Sequence, residues 1–210
     1  MREQENNKVT VIGTVLGKFE FDHTTCSESF YRAKLGVTRS SGYVDVIPCM
    51  ISERLVDVTE DISGKVLKVS GQFRSFNQLD GERKRLVIFA FAQEVEFPEE
   101  LEESTTNNSV FLDGYLCKAP VYRKTPLGRE ICDLLVAVNR PYGKSDYIPA
   151  IVWGRTAAQA GRLDVGAHVQ LWGRVQSREY TKHFNETESV IYTAYELSVS
   201  KLKVVEDRNE

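Results

Sequence analysis

The sequence predicts an all-β chain folded as two tandem five-stranded barrels, each with one short helix between its third and fourth strands. Three observations carry this prediction. The first is internal repetition. Residues 6–48 lie over residues 107–149 at a constant offset of 101, with no gap. Asn6 and Asn7 fall over Asn107 and Asn108, Gly13 over Gly114, Arg39 over Arg140, Asp45 over Asp146 and Pro48 over Pro149. One residue then enters the second copy, and Val69-Ser70-Gly71 falls over Leu171-Trp172-Gly173 at an offset of 102. A period near 100 is the size of a small domain and far too long for a solenoid repeat. The second observation is that most apolar stretches alternate with the period of two that marks a half-buried strand. The third is one tract of helical character in the same place in each copy.

In copy one the strands are predicted near 8–16, 30–39, 43–51, 65–75 and 86–96. The helix is predicted over Glu53–Glu60, with Ser52 as its N-cap. Residues 94–107 turn acidic and then small and polar, and Pro98 cannot continue a strand. These features divide the chain into a first domain at 1–97, a linker at 98–107 and a second domain at 108–205. In copy two the strands are predicted near 109–117, 130–140, 145–153, 168–177 and 189–204, with the Ala-rich tract 154–163 as the helix. Five strands with a helix between the third and fourth is the order of an OB-fold barrel. Gly71 and Gly173 fall in mid-strand, where a barrel must bend or bulge.

Composition narrows the function classes. The chain is 41% hydrophobic and 27% charged, ordinary values for a globular protein. It has no run of eighteen apolar residues, so no membrane-spanning segment is expected. The polar start Met1-Arg2-Glu3-Gln4 lacks the apolar stretch of a signal peptide, and a cytoplasmic location is expected. Cys26, Cys49, Cys117 and Cys132 form no C-x-x-C pair, and His23, His168 and His183 show no ligand spacing. They read as structural thiols and ordinary histidines, so no metal and no cofactor is expected. Residues 1–103 carry 13 Lys and Arg against 18 Asp and Glu, while residues 104–210 carry 14 against 12. The second copy is therefore the better suited to a polyanion.

Strand periodicity separates the two faces of each strand. In the third strand of copy two, Ile148, Ala150 and Val152 suit a core, and Tyr147, Pro149, Ile151 and Trp153 point the other way. In the fourth, Val169, Leu171, Gly173 and Val175 form the apolar set, against Gln170, Trp172, Arg174 and Gln176. Rings on a polar face suggest a contact surface, although such rings also pack under loops or between subunits. Beyond these strands, Arg140-Pro141-Tyr142-Gly143-Lys144 and Arg178-Glu179-Tyr180-Thr181-Lys182 interleave rings with cations. That mixture suits an unpaired nucleic-acid strand, because bases stack on rings and Arg or Lys neutralises phosphate.

At this point the residues resemble a family. Copy two resembles the bacterial single-stranded DNA-binding proteins with the OB fold. The matching runs are Leu135-Val136-Ala137-Val138-Asn139-Arg140-Pro141, Asp146 to Arg155, Gly166-Ala167-His168-Val169 and Gly173 to Tyr180. The match covers nearly all of 107–204. The resemblance implies stacking at Tyr142, Tyr147, Trp153 and Tyr180, with Arg140, Arg155, Arg174 and Arg178 at phosphates. Lys144, Trp172 and Lys182 join them by position. In copy one, Ser52 stands where copy two has Trp153, Val46 where it has Tyr147 and Ser70 where it has Trp172. Arg39 and Arg74 are taken as the counterparts of Arg140 and Arg174, and Phe73, Phe76 and Tyr43 as substitute rings. Copy one is thus expected to bind weakly or to serve in assembly. Family members usually end in an acidic tail that recruits other proteins. The sequence stops soon after the last predicted strand, so recruitment of that kind is not expected. The resemblance also implies a homodimer with four barrels.

Three function classes follow. The first is sequence-independent binding of single-stranded DNA, protecting it in replication, recombination or repair. The second is an interaction or assembly module of a replication-restart or mobile-element complex, with weak DNA binding and with replication or recombination proteins as partners. The third, an enzyme, lacks support. Asp113, Asp133, Asp146 and Asp164 lie on separate elements, and no phosphate-loop pattern occurs, so no catalytic residue is assigned.

Overall fold

The computed structural model describes residues 5–80, 83–100, 107–183 and 189–206. Its strands in copy one are β1 (Asn7–Val15), β2 (Glu20–Thr25), β3 (Glu28–Thr38), β4 (Val44–Ser52), β5 (Val66–Asp80) and β6 (Arg83–Glu96). In copy two they are β7 (Asn108–Leu116), β8 (Val121–Lys124), β9 (Glu130–Asn139), β10 (Ser145–Trp153), β11 (His168–His183) and β12 (Ser189–Val204). Among the described residues one α-helix, α1, spans Arg155–Ala160. Copy one closes as the ring β1–β3–β4–β6–β5, and copy two as β7–β9–β10–β12–β11. In both rings one pairing is parallel, β4 with β6 and β10 with β12, and the rest are antiparallel. The predicted pair of five-stranded barrels is present.

The cores follow the alternation. Val9, Leu35, Ile47, Leu67 and Phe73 fill the first barrel, and Leu112, Ile148, Leu171 and Leu197 fill the second. Gly71 and Gly173 sit at breaks in register on β5 and β11. A Cβ there would lie 2.0 Å from the Phe91 carbonyl oxygen and 2.1 Å from that of Ser198. The neighbouring strand passes too close for any side chain, which is how the barrels turn their corners.

The structure differs from the sequence-based expectation in two ways. Each barrel carries one additional strand, β2 on β3 and β8 on β9, in hairpins largely exposed on both faces. With no buried side, these strands have no alternation to read. The helix expected at 53–60 is also absent, and the segment runs through turns. The Arg54 N–H does donate to the Ser52 hydroxyl at 3.1 Å, as an N-cap would require. Asp57 then accepts from the backbone N–H and hydroxyl of Thr59 at 2.9 and 2.6 Å, and this local turn competes with helix formation. Val56 and Ile62 are buried instead. In copy two, Ala157 and Ala160 are small enough to lay α1 flat against its barrel.

The two barrels meet along β1 and β7, which pair antiparallel with Val9 opposite Val110. Those residues are repeat equivalents, so a pseudo-two-fold axis runs through the junction. Beside the junction, two asparagines make equivalent bonds, each within its own barrel. The Asn7 side chain donates to the Phe73 carbonyl at 2.8 Å and accepts from the Phe73 N–H at 2.7 Å. Asn108 does the same with Val175, at 2.7 and 2.8 Å. β6 ends two residues before Pro98, and most of the expected linker, 101–106, lies outside the described residues. Among the described residues no helix is long and apolar enough to cross a membrane.

Candidate nucleic-acid interface

Strand β10 turns Ile148, Ala150 and Val152 inward and leaves Tyr147 and Trp153 on the outside, 44% and 37% exposed. Ile151, expected on that outer side, is buried. The Trp153 indole N–H donates to the Ser198 hydroxyl at 3.2 Å. Ser198 on β12 lies directly across from Arg174 on β11. Trp153, Ser198 and Arg174 therefore form a row across three strands, with a ring at one end and a guanidinium at the other. Farther along β11, past the barrel wall, Arg178 and Tyr180 are exposed, and the Tyr180 ring stacks on Tyr192 with centroids 5.8 Å apart. Tyr142 stands in a short turn at 141–143 with φ 64° and is 95% exposed, beside the exposed Lys144. Arg155 is exposed at the start of α1. The side chain of Lys182 lies outside the described residues.

Several expected site residues are placed differently. Trp172 is half-buried, with Phe111 5.1 Å away and the Lys201 ammonium 4.6 Å over its ring. It is a packed ring and not an open one. Phe73 is core at 1% exposure, so it cannot substitute for a surface ring, whereas Tyr43 and Phe76 are exposed. At the offset of 102, Arg174 lies over Gln72 and Arg74 over Gln176, so the two arginines are not counterparts.

The largest correction concerns Arg39 and Arg140. Both were expected at phosphates, and both are committed to buried carboxylates between the barrels. Arg140 pairs with Asp146 at 2.7 Å and donates to the Ser75 carbonyl of the other barrel at 3.1 Å. Arg39 pairs with Asp45 at 2.6 Å and donates to the Ser177 carbonyl at 3.3 Å. The Ser75 N–H donates to Asp146 at 2.6 Å, and the Ser177 N–H to Asp45 at 2.7 Å. These mirrored clusters lock the barrels together on either side of the β1–β7 junction.

The clusters differ in charge balance. Burial would raise the Asp45 carboxyl, but hydrogen bonds from Arg39 and Ser177 outweigh it and hold the group below the usual carboxylate range. Arg174 also reaches Asp45, at 3.2 Å. For Asp146 burial prevails and pushes the carboxyl up, despite the Ser75 N–H and Arg140. Only one guanidinium touches it, because Arg74 instead donates to Gln72 at 3.1 Å.

Sequence reasoning missed Ser198, which fixes the Trp153 indole, and Tyr192, which backs Tyr180. The first depends on the parallel β10–β12 pairing and the second on the β11–β12 register, and neither can be counted from one strand alone.

A model of the single-strand binding protein family matches residues 107–204. Single-stranded DNA-binding protein 3 of Listeria innocua is 38% identical over 80 residues, 35% of this chain and 50% of the relative. Single-stranded DNA-binding protein 1 of Clostridium acetobutylicum is 33% identical over 81 residues, 35% of this chain and 74% of the relative. For several such relatives, the chain spans only about half of their length. In fold, the chain is similar to the crystal structure of the wild-type single-stranded DNA binding protein from Thermus aquaticus. The TM-score is 0.74 at 20% identity, covering 97% of this chain and 95% of the other.

Proposed function

The chain belongs to the single-strand binding protein family, and from that premise we propose that it binds single-stranded DNA without regard to sequence. Tyr142, Tyr147, Trp153 and Tyr180 stack bases, while Lys144, Arg155, Arg174 and Arg178 neutralise phosphates. The row Trp153–Ser198–Arg174 carries this reading. It sets an exposed indole, held by a hydrogen bond, across one small residue from a guanidinium that shares Asp45 with Arg39 and keeps 38% of its side chain in solvent. Stacking tolerates every base because each has a π-face, and displacement of condensed counterions drives the phosphate contacts. The protein holds the strand and performs no chemical step on it.

Within this proposal the chain protects unpaired DNA in replication, recombination or repair, in the cytoplasm. It acts as a homodimer that brings four barrels together. Residues 1–97 and 108–205 are the two domains, joined by 98–107. The test is a titration with oligo-dT at two salt concentrations, following tryptophan fluorescence. Quenching is expected, with affinity falling as salt rises at a log–log slope of roughly −0.7 per phosphate neutralised. Tight binding indifferent to salt would overturn the proposal.

A second reading, an assembly module with weak DNA binding, draws support from Arg39 and Arg140, whose charges serve the barrel junction. Millimolar DNA affinity together with tight capture of a helicase or recombination factor would favour it.

A further inference from the structure

Each barrel extends its last two strands beyond its wall as a hairpin. On β11, pairing with β7 ends at Gly173, and on β12, pairing with β10 begins only at Leu197. Among the described residues, 176–183 and 189–196 therefore pair only with each other. Copy one repeats this with β5 and β6, whose register runs out to Asp80 opposite Arg83. The roots of the hairpins are held at Ser75 and Ser177 by the mirrored aspartates. A two-stranded ribbon alone is marginal in water, so whatever steadies it farther out decides how well it presents a side chain.

The two hairpins meet. Gln78 lies across from Arg85 in copy one as Tyr180 lies across from Tyr192 in copy two. Gln78 and Tyr180 are equivalents at the offset of 102, so Arg85 and Tyr192 are equivalents too. The Arg85 guanidinium stands 5.4 Å from the centroid of the Tyr192 ring. Equivalent residues touch where the pseudo-two-fold axis passes between them, as Val9 and Val110 do at the junction. An identical pair there would be two cations or two rings. The tandem chain places one of each on the axis, and a cation over a ring attracts where two cations would repel. Tyr192 also stacks on Tyr180, with centroids 5.8 Å apart and planes 26° apart. Its ring thus has a partner ring on its own hairpin and a cation from the other barrel. Arg85 acts on Tyr195 of β12 as well: burial raises the pKa of that hydroxyl, and the guanidinium partly offsets the rise. Tyr180 keeps 43% exposure and follows Arg174 and Arg178 on one side of β11. Arg178, at 6.0 Å, is at the outer limit for a cation over that ring.

We infer that Arg85 is a positioning residue for strand binding: it crosses from the first barrel to hold Tyr192, and through it the Tyr180 ring on which a base stacks. This rests on the function proposed above. Fixing the ring before the strand arrives removes an ordering cost from binding. Arg85 acts on the ring and not on a phosphate, which separates it from Arg174 and Arg178.

The test is a double-substitution cycle on the full chain, read by anisotropy of labelled oligo-dT at two salt concentrations, with urea unfolding of each variant as the control. Arg85→Gln should weaken binding by about 2- to 5-fold, the worth of an exposed cation over a ring, with the salt slope and the urea midpoint unchanged. Arg85→Lys should retain most of the affinity, since an ammonium also sits over a ring. Tyr180→Ala should weaken binding by about 5- to 150-fold, and adding Arg85→Gln to it should cost nothing further. An equal loss from Arg85→Gln with and without the Tyr180 ring, or a salt slope flattened by about 0.7, would make Arg85 a direct phosphate contact. Either result overturns the inference and leaves the function intact, as does the absence of any loss from Arg85→Gln alone. Failure of the unaltered chain to bind oligo-dT would instead sink the function on which the inference rests.

Discussion

Replacing Asp45 by Asn tests the idea that arginine charge is spent on joining the barrels. Asp45 is 1% exposed and accepts from Arg39 at 2.6 Å, from Arg174 at 3.2 Å, and from the Ser177 N–H and hydroxyl at 2.7 and 3.1 Å. Asparagine keeps one acceptor and the shape but leaves two guanidiniums without a counter-charge. Breaking a buried pair by removing one partner costs about 3–5 kcal/mol. Arg39 keeps a quarter of its side chain in solvent and Arg174 more, so about 3 kcal/mol is expected here. Asp146→Asn should cost less, about 1–2 kcal/mol, because one arginine touches that carboxylate and burial already works against its charge. The pH dependences run in opposite directions. Asp45 has a lowered folded pKa, so its contribution is present above the ordinary carboxylate pKa and disappears as pH falls through the folded value. Asp146 has a raised folded pKa, so its charged form penalises the fold and the penalty lifts on protonation. The loss from Asp45→Asn should therefore shrink on acidification from about pH 7 to about pH 3.5, and that from Asp146→Asn should grow. Urea unfolding of both variants at the two pH values reads this directly. Equal losses that follow the same pH trend would refute the reasoning.

Trp153→Ala should cost about 1–3 kcal/mol of oligo-dT affinity by anisotropy of a labelled strand. Ser198→Ala, which removes only the indole's anchor, should cost about 0.5–1.5 kcal/mol in the same assay. Arg178→Gln should flatten the salt dependence by about 0.7 without changing the urea midpoint, and Arg39→Gln should lower the midpoint without flattening the slope. Gly173→Ala should destabilise by at least about 1–3 kcal/mol, since its methyl meets the Ser198 carbonyl oxygen; a circular-dichroism melt measures this.

Much of the fold was legible because it rests on local patterns written twice. Alternation along β10 separated Ile148, Ala150 and Val152 from Tyr147 and Trp153, and Gly71 and Gly173 marked the corners of the barrels. β2 and β8 escaped because strands wet on both faces carry no period. The missing helix at 53–60 shows local hydrogen bonding by Asp57 and Ser52 overriding a plausible cap. For the interface, alternation gave the side of a strand but not what covers it, as Ile151 shows by being buried on the side of Tyr147 and Trp153. Trp172 keeps the side that alternation gives it, but it packs on Phe111 of the neighbouring strand β7, a contact one strand cannot reveal. Arg39 and Arg140 were misread because their role depends on the other barrel. A clue was nonetheless present, since each has an aspartate six residues later in both copies.

The central claim is that an unpaired strand crosses the face marked by Trp153, Ser198 and Arg174. A crystal structure of the chain with oligo-dT tests it most directly. A thymine stacked on the Trp153 indole, with a phosphate in hydrogen-bond reach of Arg174, is the predicted result. A bound strand that leaves the indole bare and runs elsewhere would contradict it.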